Sequence, residues 1–158
     1  MSAALARALT LVIWSESGQV VAAYQSHWYG VVTIGGRQFE WLPFEGSGIF
    51  QGHVSGEGAT SVDLPATKAN WDLCTRAMAS GGRWLAQMEL WEFPAAGSES
   101  LPPANMVRIG LTRGQIVSAT NEPITTIKLQ LGSSLSPVGG QIPPRTATTR
   151  LIGPGMKA

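Results

Sequence analysis

Side chains able to do chemistry are few and scattered in this chain of 158 residues. His27 and His53 are its only histidines and Cys74 its only cysteine. The paired cysteines or His-Glu-x-x-His helix that a zinc centre needs are therefore absent. Nucleophilic catalysis needs a nucleophile, a base and an orienting group held together. Ser47, Ser55 and Cys74 are the candidate nucleophiles, yet none stands in a Gly-x-Ser-x-Gly elbow. Cys74 falls on the apolar stripe of a predicted helix, where burial keeps a thiol protonated and inert. Glu40, Glu45, Glu89 and Glu92 would supply an acid–base pair for glycoside hydrolysis only if two of them met across roughly 5 to 9 Å, which chain spacing does not determine. Gly46, Gly48, Gly52, Gly56 and Gly58 resemble an anion-cradling loop, but no Lys-Ser or Lys-Thr follows and no strand and helix flank them. No catalytic, cofactor or metal site is assigned, and the chain is read as non-enzymatic.

The elements that would position these groups are mostly strands. Leu11 to Trp14 and Val20 to Tyr24 flank the turn chemistry of Ser15-Glu16-Ser17-Gly18. Val31 to Ile34, Gly35-Gly36 and Gln38 to Trp41 form the clearest hairpin, with Phe39 and Trp41 alternating against Gln38 and Glu40. Residues 43–58 read as a loop or an irregular strand pair. Ser61 to Leu64 is extended, and a helix is predicted from about Lys68 to Ser80, capped by Thr67 and ended by Gly81-Gly82. Trp71, Cys74 and Met78 recur at helical spacing and predict its buried stripe. Arg83 to Phe93 reads as a strand, with Trp84, Ala86, Met88 and Leu90 on one side and Gln87 and Glu89 facing away. Met106 to Leu111 and Gly114 to Ala119 read as two strands joined around Arg113-Gly114, and Thr125 to Leu131 as the last.

The expected fold is mainly β, a β-barrel or β-sandwich with one short α-helix packed on the sheet and an extended C-terminal arm. The β-rich domain spans 1–131. The arm spans 132–158, where Gly, Ser, Pro and Thr replace the alternating apolar pattern. Ala3 to Trp14 is the one apolar stretch near the start. It falls short of the about 20 residues a bilayer needs, is interrupted by Arg7, and reads as part of the fold.

Composition points to contact surfaces rather than a pocket. Only 13% of residues are charged, roughly half the usual ~25%, and a neutral surface costs little to desolvate beneath another protein. A formal charge of +1 provides no overall field toward nucleic acid or an anionic membrane, so neither nucleic-acid recognition nor membrane insertion is expected. Six tryptophans would anchor an interface or stack on sugars if exposed, but alternation assigns four or five of them to the core. The candidate interface comprises Trp28 and Tyr29, Ile49 and Phe50 in the glycine-rich segment, and Pro143, Arg145, Arg150 and Leu151 in the arm.

The order of features resembles the small minor tail proteins of tailed bacteriophages, of the tail-tip and baseplate-hub type. The resemblance rests on the hairpin Val31 to Trp41, then Leu64-Pro65 and the helix to Ser80. It continues through the aromatic strand Trp84 to Phe93, the segment Met106 to Ala119, and an end running from Pro144-Arg145 to Gly153-Pro154-Gly155-Met156. It implies a virion structural subunit, made in the host cytoplasm and assembled in a ring around the tail axis, whose partners are copies of itself and other tail or baseplate proteins. Some tail-tip proteins bind an iron–sulfur cluster through several cysteines; Cys74 stands alone, so no cofactor is expected. A carbohydrate-binding β-sandwich is the alternative that the aromatic content supports, and a small hydrolase using one of the four glutamates or Ser47 is a third.

Overall fold

The computed structural model describes residues 4–47, 60–121 and 125–133. They form β1 (Leu5–Trp14), β2 (Val20–Gln25), β3 (Val32–Ile34), β4 (Arg37–Trp41), β5 (Glu45–Ser47), β6 (Thr60–Pro65), α1 (Lys68–Ala79), β7 (Leu85–Pro94), β8 (Val107–Asn121) and β9 (Thr126–Ser133). The mainly β fold with one short helix is thus what the sequence pattern implies. The strands make a single mixed sheet in the order β3-β4-β2-β1-β7-β8-β9-β6-β5, with hydrogen-bonding ends at β3 and β5.

That sheet is strongly curled, and the reason is a short connection. β4 and β5 stand seven positions apart in the strand order, about 34 Å along a flat sheet. Only Leu42, Pro43 and Phe44 join them, and four residue steps span at most about 14 Å. The sheet therefore bends until its two ends approach each other without a ladder closing them. It is neither a pair of stacked sheets nor a hydrogen-bonded closed barrel.

The inner face holds the main core. Leu11 and Ile13 of β1 lie opposite Met88 and Ala86 of β7, and Val62, Ile116 and Leu129 join them from β6, β8 and β9. Helix α1 packs into this core with Leu73, Cys74 and Ala77. The buried face of the helix is turned from the expected one: Trp71 and Met78 are partly exposed and Asn70 is buried. Asn70 satisfies its amide by donating Nδ2 to the Pro65 carbonyl at 2.8 Å, so a polar residue can face inward while the larger apolar ones do not. The helix is capped as its sequence predicts, with the Asn70 N–H donating to Thr67 Oγ1 at 3.2 Å.

A second, smaller cluster lies on the outer face of β1 and β7. The β3–β4 hairpin folds across that face, placing Val32, Ile34 and Phe39 on Ala8, Val12 and Phe93. Its turn uses Gly35 and Gly36 at φ 61° and 83°, the paired positive values that a type I′ turn requires.

One expected boundary is absent. The two strands read on either side of Arg113-Gly114 are a single strand, β8, of 15 residues. Gly114 is not a turn residue there: it pairs with Ala86 and Ser133, and a Cβ on it would collide with the Gly132 carbonyl. The glycine marks close approach of β9, a use that composition alone does not separate from a turn. Gly132 and Ser133, read as the start of the arm, belong to β9, and the rest of the arm lies outside the described residues.

Candidate interaction site

The exposed aromatic surface is built by one buried glutamine. Gln25 ends β2 and is fully buried. Its Oε1 accepts from the N–H groups of His27 and Trp28, both at 2.8 Å, while Nε2 donates to the Trp28 carbonyl and, at 3.4 Å, to that of Gly30. A single amide therefore organises the loop from Ser26 to Gly30. The loop tucks Trp28 inward, where its Nε1 donates to the Ser98 carbonyl at 2.8 Å and its ring meets Phe93 at 5.3 Å. The same bend throws Tyr29 outward.

Trp28 and Tyr29, adjacent interface candidates, thus separate. Trp28 is 1% exposed and is core, a correction whose cause is the Gln25 loop; Tyr29 is 83% exposed. Tyr29 leans on Trp41 with ring centroids 4.9 Å apart, and Val20 and Val31 are exposed alongside. Ile49, Phe50, Pro143, Arg145, Arg150 and Leu151, like His53 and Ser55, lie outside the described residues.

Beside this patch the sheet is interrupted. β2 pairs in parallel with β4 only at Tyr24 with Glu40 and Gln25 with Trp41, so the ladder stops short of Val20–Ala23. A cleft of about 310 Å³ opens there, with Val20–Tyr24 as one wall. Five consecutive residues of a strand can line one cleft only if the strand's edge faces it, since side chains alternate between faces. Val31, Gln38 and Glu40 form the facing wall. Burial, and secondarily the charge of Glu40, raises the Tyr24 phenol above its ordinary value.

The turn of the hairpin covers a second, polar cleft of about 190 Å³ whose floor is Gln87, Glu89 and Arg108. Glu89, expected to face solvent, is 8% exposed because the hairpin lies over it. Its carboxylate accepts from Arg108 Nη1 at 2.6 Å and from Gln87 Nε2 at 3.1 Å. Opposite it, Thr10 is buried and accepts from Trp91 Nε1 at 3.1 Å. Arg37 and Arg113 both approach the Trp14 ring, at 5.7 and 5.0 Å from its centroid. The cleft is a satisfied polar layer between hairpin and sheet.

The remaining chemistry-bearing residues do not converge. Glu92 pairs with Arg7 at 3.1 Å in the register that faces the sheet's other side from Glu89. Glu40 is on the hairpin, and Glu45 sits opposite Asp63, which pairs with Lys128 at 3.1 Å. Ser47 shares a hydrogen bond with Ser61 at 2.7 Å. Cys74 is buried, and that burial pushes its thiol up to about 11. His27 rests edge-on against Trp28 and Phe93. Among the described residues, no three His, Cys, Asp or Glu side chains are grouped to hold a metal ion, and no helix is long and apolar enough to cross a membrane.

Of the six tryptophans, Trp14, Trp28, Trp84 and Trp91 pack into the two clusters, in line with the alternation; Trp41 and Trp71 are partly exposed. Gln25 was not legible as a site residue, because a polar residue closing a strand has no signature of burial. Comparison with models of known protein families and with curated proteins gave no match.

Proposed function

We propose that this chain is a structural subunit working through protein–protein contacts, of the kind assembled in a ring at the tail tip or baseplate of a tailed phage. One observation carries the contact role: Tyr29, Trp41, Val20 and Val31 stand exposed around an unpaired strand edge on a chain with only 13% charged residues. Aromatic anchors beside low-charge surface are what interface centres use. The tail assignment rests on the order of features along the chain. Mixing the purified chain with the products of neighbouring tail genes is expected to give a stoichiometric complex by size exclusion and light scattering. A chain that stays monomeric with every such partner overturns the reading.

The Tyr29–Trp41 pair also supports a second reading, glycan binding, because two adjoining exposed rings beside Gln38 and Glu40 offer stacking and hydrogen bonding to a sugar. Saturable change of tryptophan fluorescence on glycan titration, lost in Tyr29→Ala, would favour it. An unchanged spectrum across a broad glycan panel removes it.

A further inference from the structure

The open edge of β2 has a chemically matched occupant in the sequence itself. We propose that a second copy of this chain docks there by adding its residues 146–152 as a strand along Val20–Ala23, an inference that rests on the assembly reading and names the contact by which copies join. The three-residue strands β3 and β5 end the sheet, which is the usual protection of an edge. The first half of β2 lacks that protection and instead faces a cleft. Backbone N–H and C=O groups along such an edge are satisfied by an incoming extended segment, with side-chain pockets setting which segment.

Residues 146–152 read Thr-Ala-Thr-Thr-Arg-Leu-Ile. They are rich in the branched residues that strands favour and contain no Gly or Pro. Pro143-Pro144 precedes them and Gly153-Pro154 follows, so the strand-forming stretch is bounded at both ends. Charge matches too: residues 134–158 contain Arg145, Arg150 and Lys157 and no acid, while Glu40 lines the cleft.

Two features favour a second copy over the chain's own arm. Ser133, Gly114, Ala86, Ile13 and Ala22 form one lateral row of partners. The described chain therefore ends four strand spacings from the edge, about 19 Å, and that route is filled by the core on the inner face and the β3–β4 hairpin on the outer. Moreover, the exposed rings of Tyr29 and Trp41 extend past what one strand would cover, and a second copy brings a surface as well as a strand. One donor and one acceptor per chain make the contact head-to-tail, the type that closes into rings.

The test uses full-length chains carrying one new cysteine each. Val20→Cys is mixed with Thr148→Cys, and separately with Thr149→Cys to cover both faces of the strand, under mild oxidation. A disulfide-linked dimer between the two variants is expected in one of the mixtures, and Thr149→Pro is expected to weaken self-association by about tenfold or more, since a proline within a strand removes a ladder hydrogen bond. Absence of that dimer in both mixtures overturns the proposal, as does a cross-link within single chains when Val20→Cys and the arm cysteine are combined in one molecule. Oligomers seen by light scattering without the cross-link would reject this contact while leaving the assembly reading standing; a chain monomeric with all partners would reject the assembly reading itself.

Discussion

The side-chain amide of Gln25 is locked onto the backbone of Trp28, accepting from its N–H at 2.8 Å and donating to its carbonyl. The pair fixes where the loop turns and so decides that Trp28 is core and Tyr29 is surface. Replacing Gln25 by Leu leaves the His27 and Trp28 N–H groups without their acceptor, at about 1–3 kcal/mol for each buried group stranded. Urea unfolding should show a loss of about 2–5 kcal/mol. Gln25→Glu keeps the acceptor and should lose less; equal losses in both variants would show that the acceptor bonds do not matter.

Arg108 and Glu89 meet at 2.6 Å beneath the hairpin, with Arg108 half exposed and Glu89 nearly buried. Arg108→Met strands a carboxylate that retains only the Gln87 amide, and about 1–3 kcal/mol of stability should be lost, less than for a fully buried pair. Glu89→Gln combined with Arg108→Met should recover part of it. A double variant no more stable than Arg108→Met alone would remove the stranded charge as the cause.

Gly114→Ala places a methyl group against the Gly132 carbonyl. β9 would have to shift away from β8, and a central ladder would be broken. The substitution should cost several kcal/mol, more than the ~1 kcal/mol typical of a point mutation. Thermal melting within a degree or two of the parent would show that β9 can yield.

Two groups give stability opposite dependences on pH. The Glu16 carboxyl is held below its ordinary value by its own backbone N–H and by Trp84 Nε1, which donates to it at 2.6 Å. Its contribution is present above the unfolded carboxylate range and is lost as pH falls through the lowered folded value. Glu16→Gln should therefore melt lower than the parent at pH 6 and converge with it in acid. Cys74, with its thiol near 11, gives the alkaline limb. The unfolded thiol ionises first, near ~8.5, so stability falls as pH rises from there toward the folded value. Cys74→Ala should flatten that limb, and the native thiol should react with a disulfide reagent only in denaturant.

Strands, hairpin and helix were legible in the sequence because each rests on local chemistry. Gly35-Gly36 sets its turn by permitting positive φ, Thr67 caps its helix, and Ile127, Leu129 and Leu131 alternate inward on β9. Mainly β with one helix follows from such signals. Contacts between distant residues decided the rest. Asn70 could replace Trp71 and Met78 on the buried face of α1 only because the Pro65 carbonyl was within reach. Gly114 continued a strand because β9 came close, and Glu89 was covered because the hairpin folded over β7.

The contact surface foreseen on this chain divides in the same way. Low charge and many aromatics are properties of composition, and they indicated surfaces rather than a pocket from the first reading. Which ring reaches that surface depended on a buried amide, and which strand edge stays open depended on a parallel ladder only two residue pairs long. Periodicity reports which side of an element is apolar; it does not report what folds over that side, and exposure is settled by the covering element.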